Sequence, residues 1–222
     1  MEKIDHRRNY ILIIDTETAN GLEDPLVYDC GFAVVDKWGT VYETHSFVNR
    51  DVFVYERELM KTAYYAKKIP QYVEDLQNGK RTMANFYEIK KVVDTIIKKY
   101  KIKAVCAHNS RFDVNSLNGT QRYLTKSKYR YFFPRGVEIW DSMLMAQTVI
   151  CKMPTYRKFC EENGYTYGNG QLRKTAEILY RFISGNADFV ENHTGLEDVL
   201  IEKEIVKYCY RQHQSMRKVL YK

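Results

Sequence analysis

Tyr10-Ile11-Leu12-Ile13-Ile14-Asp15-Thr16-Glu17-Thr18 runs from aromatic and branched aliphatic residues straight into two acids. The apolar run suits a buried strand that delivers Asp15 at its far end. On an extended backbone, residues two apart leave the same face, so the Asp15 and Glu17 carboxylates can reach one cation. An Asp-x-Glu pair alone is common and is more often bland surface chemistry, so its meaning depends on partners elsewhere in the chain.

Working outward, residues 27–36 and 41–48 read as two further strands on either side of Lys37-Trp38-Gly39-Thr40. The glycine marks a tight connection, and the three segments predict an antiparallel meander. Residues 56–68 and 85–100 carry helical patterns; the second places Phe86, Ile89, Val93, Ile96, Ile97 and Tyr100 on one face, with its lysines largely opposite. A short strand follows at 103–107, then a helix opened by Ser110, and then a fifth strand at 136–140. Asp141 stands ready to cap a helix over 142–150. Helices over 157–162 and 171–183 precede the longest one, which starts after Thr194, with Thr194 and Glu197 spaced for a capping box. This order predicts an α/β fold, a central mixed five-stranded sheet flanked by helices.

The chain has 222 residues, 45% of them hydrophobic and 28% charged, with 4 Pro and 11 Gly. That composition supports one folded domain over 1–222 and argues against widespread disorder. A formal net charge of +7 favours an acidic partner such as nucleic acid. Cys30, Cys106, Cys151, Cys160 and Cys209 are odd in number, scattered, and contain no Cys-x-x-Cys pair. They read as reduced thiols, which points to the cytoplasm. The charged N-terminus, followed by a short apolar run, does not resemble a signal peptide, and no stretch approaches the roughly 18 apolar residues of a membrane span.

Two further segments supply partners for Asp15 and Glu17. Ala107-His108-Asn109-Ser110-Arg111-Phe112-Asp113 sets several polar groups at the end of a predicted strand, where sheets often offer a ligand site. Read alone, Asp113 would merely settle the helix N-terminus after Ser110. His193-Thr194-Gly195-Leu196-Glu197-Asp198 places an imidazole in a loop before a helix and an acid within its first turns. Both can face one cleft. Hard cations such as Mg²⁺ or Mn²⁺ require such oxygen clusters, and a pair of ions about 3.5 to 4 Å apart requires several acids.

Taken together, Asp15-Thr16-Glu17-Thr18, Ala107-His108-Asn109-x-x-Phe112-Asp113 and His193-x-x-x-x-Asp198 resemble the three motifs of the DEDDh, or DnaQ-like, 3′–5′ exonucleases. That family includes proofreading subunits of bacterial replicative polymerases, ribonuclease T and oligoribonuclease. The resemblance implies a ribonuclease H-like fold whose first three strands are antiparallel. It implies that Asp15, Glu17, Asp113 and Asp198 hold two divalent ions, Mg²⁺ or Mn²⁺. His193 would be the general base, with His108 in a supporting role only. The implied activity is stepwise hydrolysis from the 3′ end of single-stranded or frayed DNA, releasing nucleoside 5′-monophosphates. An exoribonuclease trimming RNA ends would use the same residues. A catalytically silent nucleic-acid-binding protein on this fold, or a structural cation site, are the alternatives of other classes.

The resemblance also places Thr18, Ala19 and Asn20 beside the terminal nucleotide, with Asn109 and Phe112 nearby. Proofreading members often continue Asp-x-Glu-Thr with Thr-Gly; here Ala19-Asn20-Gly21 stands at the backbone that approaches the terminal sugar. Residues 114–137 contain Arg122, Lys126, Lys128, Arg130 and Arg135 and no acid, interleaved with Tyr123, Tyr129, Tyr131, Phe132 and Phe133. Cations can track phosphates and rings can stack unpaired bases; the competing reading is a solvated basic connection whose aromatics are half core. Substrate contacts are therefore expected from Lys126, Lys128 and Arg130. The chain ends at Lys222, within or just beyond the helix carrying Asp198, which predicts a stand-alone nuclease with no evident polymerase partner. The resemblance to dimeric members makes a homodimer possible.

Overall fold

The computed structural model describes residues 4–128 and 130–220. β1 (Tyr10–Ala19), β2 (Leu26–Asp36) and β3 (Val41–Asn49) form the expected antiparallel meander. The turn between β2 and β3 closes with the Gly39 amide donating to the Asp36 carbonyl at 2.9 Å. Gly39 has φ of 79°, a conformation in which a Cβ would be strained.

After α1 (Arg50–Phe53), the helix expected over 56–68 is replaced by α2 (Arg57–Met60) and a 3₁₀ turn at Ala66–Lys68, and α3 (Ile69–Gln77) follows. The apolar spacing there was real but its backbone is not. The Thr62 hydroxyl donates to the Leu59 carbonyl at 2.6 Å and accepts the Asn20 amide at 2.9 Å, and the Ala63 amide donates to Met60 rather than one residue further back. Pro70 then suits the first turn of α3.

β4 (Thr82–Ala84) pairs in parallel with β3 and gives the sheet a sixth strand, one more than expected, in the order β4-β3-β2-β1-β5-β6. Three residues at an edge are too few to show a period. α4 (Phe86–Tyr100) starts with a capping box between Asn85 and Glu88. β5 (Ala104–Ala107) runs parallel to β1 but pairs with it only over 11–13. α5 (Arg111–Thr125) leads to β6 (Glu138–Asp141), which is parallel to β5.

α6 (Ser142–Thr148) is capped as expected by Asp141, whose carboxylate accepts the Met143 and Leu144 amides at 2.8 and 3.3 Å. α7 (Pro154–Glu162) and α8 (Ala176–Ser184) follow. The helix expected from Gln171 begins only after Thr175, because Leu172 bridges to Thr166 and Arg173 is tied to Tyr165 and Tyr156. α9 (Gly195–Arg211) is the longest helix.

The alternation along β1 decides which face each side chain serves. Leu12 and Ile14 pack with Cys30, Phe32 and Val34 against Ile89, Val93 and Ile96 of α4 and Leu117 of α5. Ile11 and Ile13 pack with Ala33 and Val35 against Leu179 of α8 and Val199, Ile205 and Val206 of α9. A smaller cluster of Tyr28, Val48, Val52 and Tyr72 lies under α1 and α3. By the same parity, Asp15 and Glu17 belong to the α9 face and Thr16 to the α5 face. The five cysteines are free, and all but Cys151 are buried. Among the described residues, no helix is long and apolar enough to cross a membrane.

Candidate active site

Two glycines bring α9 onto the sheet next to the acids. Gly31 is the β2 partner of Asp15, and a Cβ on it would lie 2.1 Å from both Gly195 C and Leu196 N. A Cβ on Gly195 would lie 2.6 Å from Gly31 N and 3.2 Å from the Asp15 carbonyl oxygen. Backbone meets backbone here. The first turn of α9 is further fixed by Asp29, whose Oδ2 accepts the Gly195 amide at 2.8 Å and the Tyr72 hydroxyl at 2.6 Å. An acid at this position also complements the positive end of the helix.

The expected capping box at Thr194 is replaced by a different arrangement. The Thr194 amide donates to Asp198 Oδ2 at 3.1 Å, and its hydroxyl donates to Glu197 Oε2 at 2.7 Å. Glu197 is drawn away from the helix cap by buried Arg81, which donates to it at 3.0 Å and also to Asp75 and Ser46. Arg81 thus links the segment after α3 to the start of α9, with Asp29 at 3.4 Å completing the ion-paired group.

The result is a cleft of about 400 Å³ whose lining includes Asp15, Glu17, His108, Asn109, Glu191, His193, Asp198 and Glu202. Carboxylate oxygens of Asp15, Glu17 and Asp198 all lie within 4.8 Å of one another. Burial, and then the charges of neighbouring acids, push Glu17 up to about 9 and Asp198 up to about 8, and hold Asp15 well above the usual carboxylate range. Asp198 Oδ1 is buried without a hydrogen-bond partner. Three close hard oxygen donors, one of them with an unpartnered buried atom, fit a divalent cation such as Mg²⁺ or Mn²⁺.

These shifts set a pH dependence in the absence of metal. Between the ordinary carboxylate pKa near 4 and the raised folded values, the folded chain binds protons that the unfolded chain has released. Stability from these groups is full below about pH 4 and is lost as pH rises through the folded values. In chelator, the melting temperature should therefore fall from pH 5 to pH 9, and Mn²⁺ at pH 8 should restore it. Scanning calorimetry checks this; a flat profile would contradict the electrostatic assignment.

Asp113 does not line the cleft, although among the acids its charge acts most strongly on Asp15. β1 outruns β5, which leaves the Thr16 amide without a ladder partner on that edge. Asp113 Oδ1 takes it at 3.1 Å, together with the Thr16 hydroxyl at 2.9 Å. Burial pushes the Asp113 carboxyl up to about 7 even against these bonds. Ser110 makes no side-chain cap to α5, so the anticipated Ser110-x-x-Asp113 cap is absent.

His108 has both ring nitrogens engaged. Its Nε2 lies 2.8 Å from the Lys174 carbonyl, which can only accept, so Nε2 carries the proton and Nδ1 accepts from the Ser142 hydroxyl, also at 2.8 Å. His193 is differently placed. It has φ of 48°, lines the cleft, and stacks on Tyr65 with ring centroids 4.4 Å apart and planes 12° from parallel. Burial, then the nearby Lys68 charge, lower its pKa, which favours the neutral imidazole. Lys68 donates to the adjacent Asn192 carbonyl, and Glu191 Oε2 lies 3.7 Å from His193 Nδ1.

Of the expected substrate contacts, Asn109 lines the cleft, with φ of 62° and its amide 3.2 Å from Asp141 Oδ1. Thr18 is half-buried beyond the bulge that follows Glu17, Ala19 is buried against the cluster under α1 and α3, and Asn20 is bonded to Thr62 and Asp24. Phe112 is half-buried in the first turn of α5. Lys126 caps the far end of α5, its ammonium 4.5 Å from the Tyr123 ring centroid, and Lys128 and Arg130 are exposed just beyond. The aromatics of this segment divide: Phe132 is core, Phe133 packs on it, and Tyr131 is exposed. Tyr129 lies outside the described residues. None of the described residues of 114–137 lines the cleft.

Several cleft residues carried no motif. Tyr65, Glu191, Lys174 and Glu202 line it alongside the expected acids. Glu202 left one readable trace, an acid four residues after Asp198 between Ile201 and Ile205 in a run whose other inward positions are apolar. Asp29 left another, a charge inside the apolar strand 26–36.

The architecture is of the ribonuclease H-like class, a mixed six-stranded sheet with helices on both faces. Among solved structures, it is similar to the zinc-bound form of E. coli exonuclease I in complex with single-stranded DNA, with a TM-score of 0.54 at 13% identity over 93% of this chain and 41% of that one. It is also similar to E. coli exonuclease I in complex with a 5cy-dT13 oligonucleotide, with a TM-score of 0.52 at 13% identity over 93% and 41% of the two chains. The chain thus spans about two-fifths of the length of the exonuclease I chains it matches. No family model and no curated protein matches the sequence.

Proposed function

We propose that the protein is a metal-dependent 3′–5′ exonuclease that acts on single-stranded or frayed DNA and releases nucleoside 5′-monophosphates. The observation that carries this reading is the convergence of Asp15, Glu17 and Asp198 within 4.8 Å, on a cleft that also presents a neutral His193. The likeness in fold to a nuclease solved with single-stranded DNA supports the same class and favours DNA.

Asp15, Glu17 and Asp198 would hold the divalent ions, with Asp113 buttressing β1 through Thr16. When bound, such ions acidify water and neutralise charge on the attacking and leaving oxygens. The neutral His193 imidazole accepts the proton of the water that attacks phosphorus. As the P–O bond to the 3′ oxygen breaks, that oxygen takes a proton from solvent, leaving the phosphate on the 5′ side of the released nucleotide. Stacking on Tyr65 holds the imidazole plane while this occurs.

The reading is tested with matched 5′-labelled DNA and RNA oligonucleotides, single-stranded and paired, incubated with Mg²⁺ or Mn²⁺. A ladder shortening from the 3′ end of single-stranded DNA, absent in chelator, is the expected result. Preference for the RNA arm would make it an exoribonuclease, and intact strands under every condition would refute the proposal. In the same assay, His193→Gln should lower kcat by about 10² to 10⁴ while leaving oligonucleotide binding in place.

The basic segment is tested separately. Replacing Lys126, Lys128 and Arg130 together with Ala should flatten the slope of log affinity against log salt by about 2, at roughly 0.7 per lost phosphate contact on a single strand. An unchanged slope would remove these residues from the nucleic-acid path.

A further inference from the structure

Glu202 belongs to none of the three motifs, yet it faces the same cleft. It stands four residues beyond Asp198 on α9, so the two side chains lie one above the other on the same helix face. Both line the cleft with Asp15 and Glu17. The Glu202 residue is only 2% exposed. Its Oε1 accepts the His108 backbone amide at 2.9 Å, which holds the carboxylate in place, while Oε2 is buried with no hydrogen-bond partner.

Asp198 repeats this division one turn earlier. Its Oδ2 accepts the Thr194 amide at 3.1 Å and its Oδ1 is buried and unpartnered, at 4% residue exposure. A buried carboxylate oxygen with neither donor nor cation is costly, so each such group must keep a proton or meet a positive charge. Lys174 is the only lysine or arginine among the described lining residues, and its ammonium donates to Gln147 at 2.9 Å. Asp113, the acid expected from the motif, has Oδ1 bonded twice to Thr16 and does not line the cleft.

We infer that Glu202 is a fourth carboxylate of the metal site, offering through Oε2 a ligand oxygen to the second of two divalent ions shared with Asp15. This rests on the nuclease reading above and assigns the second ion to a residue outside the motifs. Asp15 lines the same cleft as Asp198 and Glu202, as a shared ligand requires.

The test counts Mn²⁺ on the purified chain by calorimetric titration and by the electron paramagnetic resonance signal of free Mn²⁺. The parent should bind two ions. Glu202→Gln keeps the acceptor for the His108 amide and the side-chain shape; it should bind the first ion within about threefold of the parent and the second at least tenfold more weakly. If that variant does not fold by circular dichroism, Glu202→Asp is read instead, with the same loss expected from a carboxylate one methylene short.

Two ions on the variant with unchanged affinities would overturn the inference. So would a single ion on the parent, and in either case digestion of single-stranded DNA by the parent would leave the nuclease reading standing. No ion on the parent together with no hydrolysis would overturn both.

Discussion

Asp15→Asn should abolish metal-dependent hydrolysis, with kcat falling on the order of 10³-fold or more, and at the same time stabilise the metal-free protein. The loss follows because a bound ion contributes several kcal/mol to such a transition state and Asp15 is central among its candidate ligands. The gain follows from the site's electrostatics. In chelator at pH 8, Asp15 is buried among Asp113, Glu202, Asp198 and Glu17, and the neutral amide removes one member of that repulsion. The measurements are single-turnover cleavage of a 5′-labelled oligonucleotide with Mn²⁺ and thermal melts in chelator. The variant should melt higher than the parent in chelator and gain less from Mn²⁺. Retained cleavage would remove Asp15 from the site; lost cleavage with a lower melting temperature would mean that the substitution acted by damaging the fold.

Gly31→Ala should be the most damaging single-methyl change in the sheet. Its Cβ would lie 2.1 Å from backbone atoms of Gly195 and Leu196, and backbone cannot swing aside as the end of a flexible side chain can. Either β2 or the start of α9 must move. Overpacking of this kind costs about 3 kcal/mol or more. His193 and Asp198 flank that contact in sequence, so cleavage should fall with stability. Gly119→Ala is the matched control: its Cβ would lie 3.6 Å from the Pro25 carbonyl oxygen in ordinary contact, in mid-helix, where alanine should add about 0.5 to 1 kcal/mol. Urea unfolding of both variants, with cleavage rates alongside, checks the pair. Equal stabilities would show that α9 does not rest on β2 as described.

The parts of the fold and site that could be read in advance are those written in local periodicity. The two-residue spacing of Asp15 and Glu17 placed them on one face, and the strand-turn-strand pattern after them gave β2 and β3 with bounds within a residue, whereas β1 runs on past the apolar residues 10–14 to Ala19. The sequence distance from His193 to Asp198 likewise placed the imidazole just before a helix and the acid in its first turns, and they share the cleft. What could not be read depends on groups distant in sequence. Thr194 and Glu197 had the spacing of a capping box, but Arg81 competes for the glutamate across the fold. Residues 56–68 had helical spacing, but the Thr62 hydroxyl donates to Leu59 and accepts from Asn20. That Asp113, and not a strand, takes the Thr16 amide depends on how far β1 runs past β5. No local pattern records that length.

The parity of β1 also acts as a reading frame. Odd positions from Ile11 to Glu17 serve the α9 side, even positions from Leu12 to Thr16 serve the α4 and α5 side, and the acids and the Asp113 anchor inherit these assignments from the core residues before them. A one-residue insertion between Ile14 and Asp15 would therefore do more than shift a carboxylate by one position. It would transpose the two sides of the strand from that point on, turning both acids toward the α5 side and presenting a threonine to α9, while Ile11 to Ile14 kept the core as it is. The hydrophobic half of β1 thus fixes the phase in which its acid-bearing half is read.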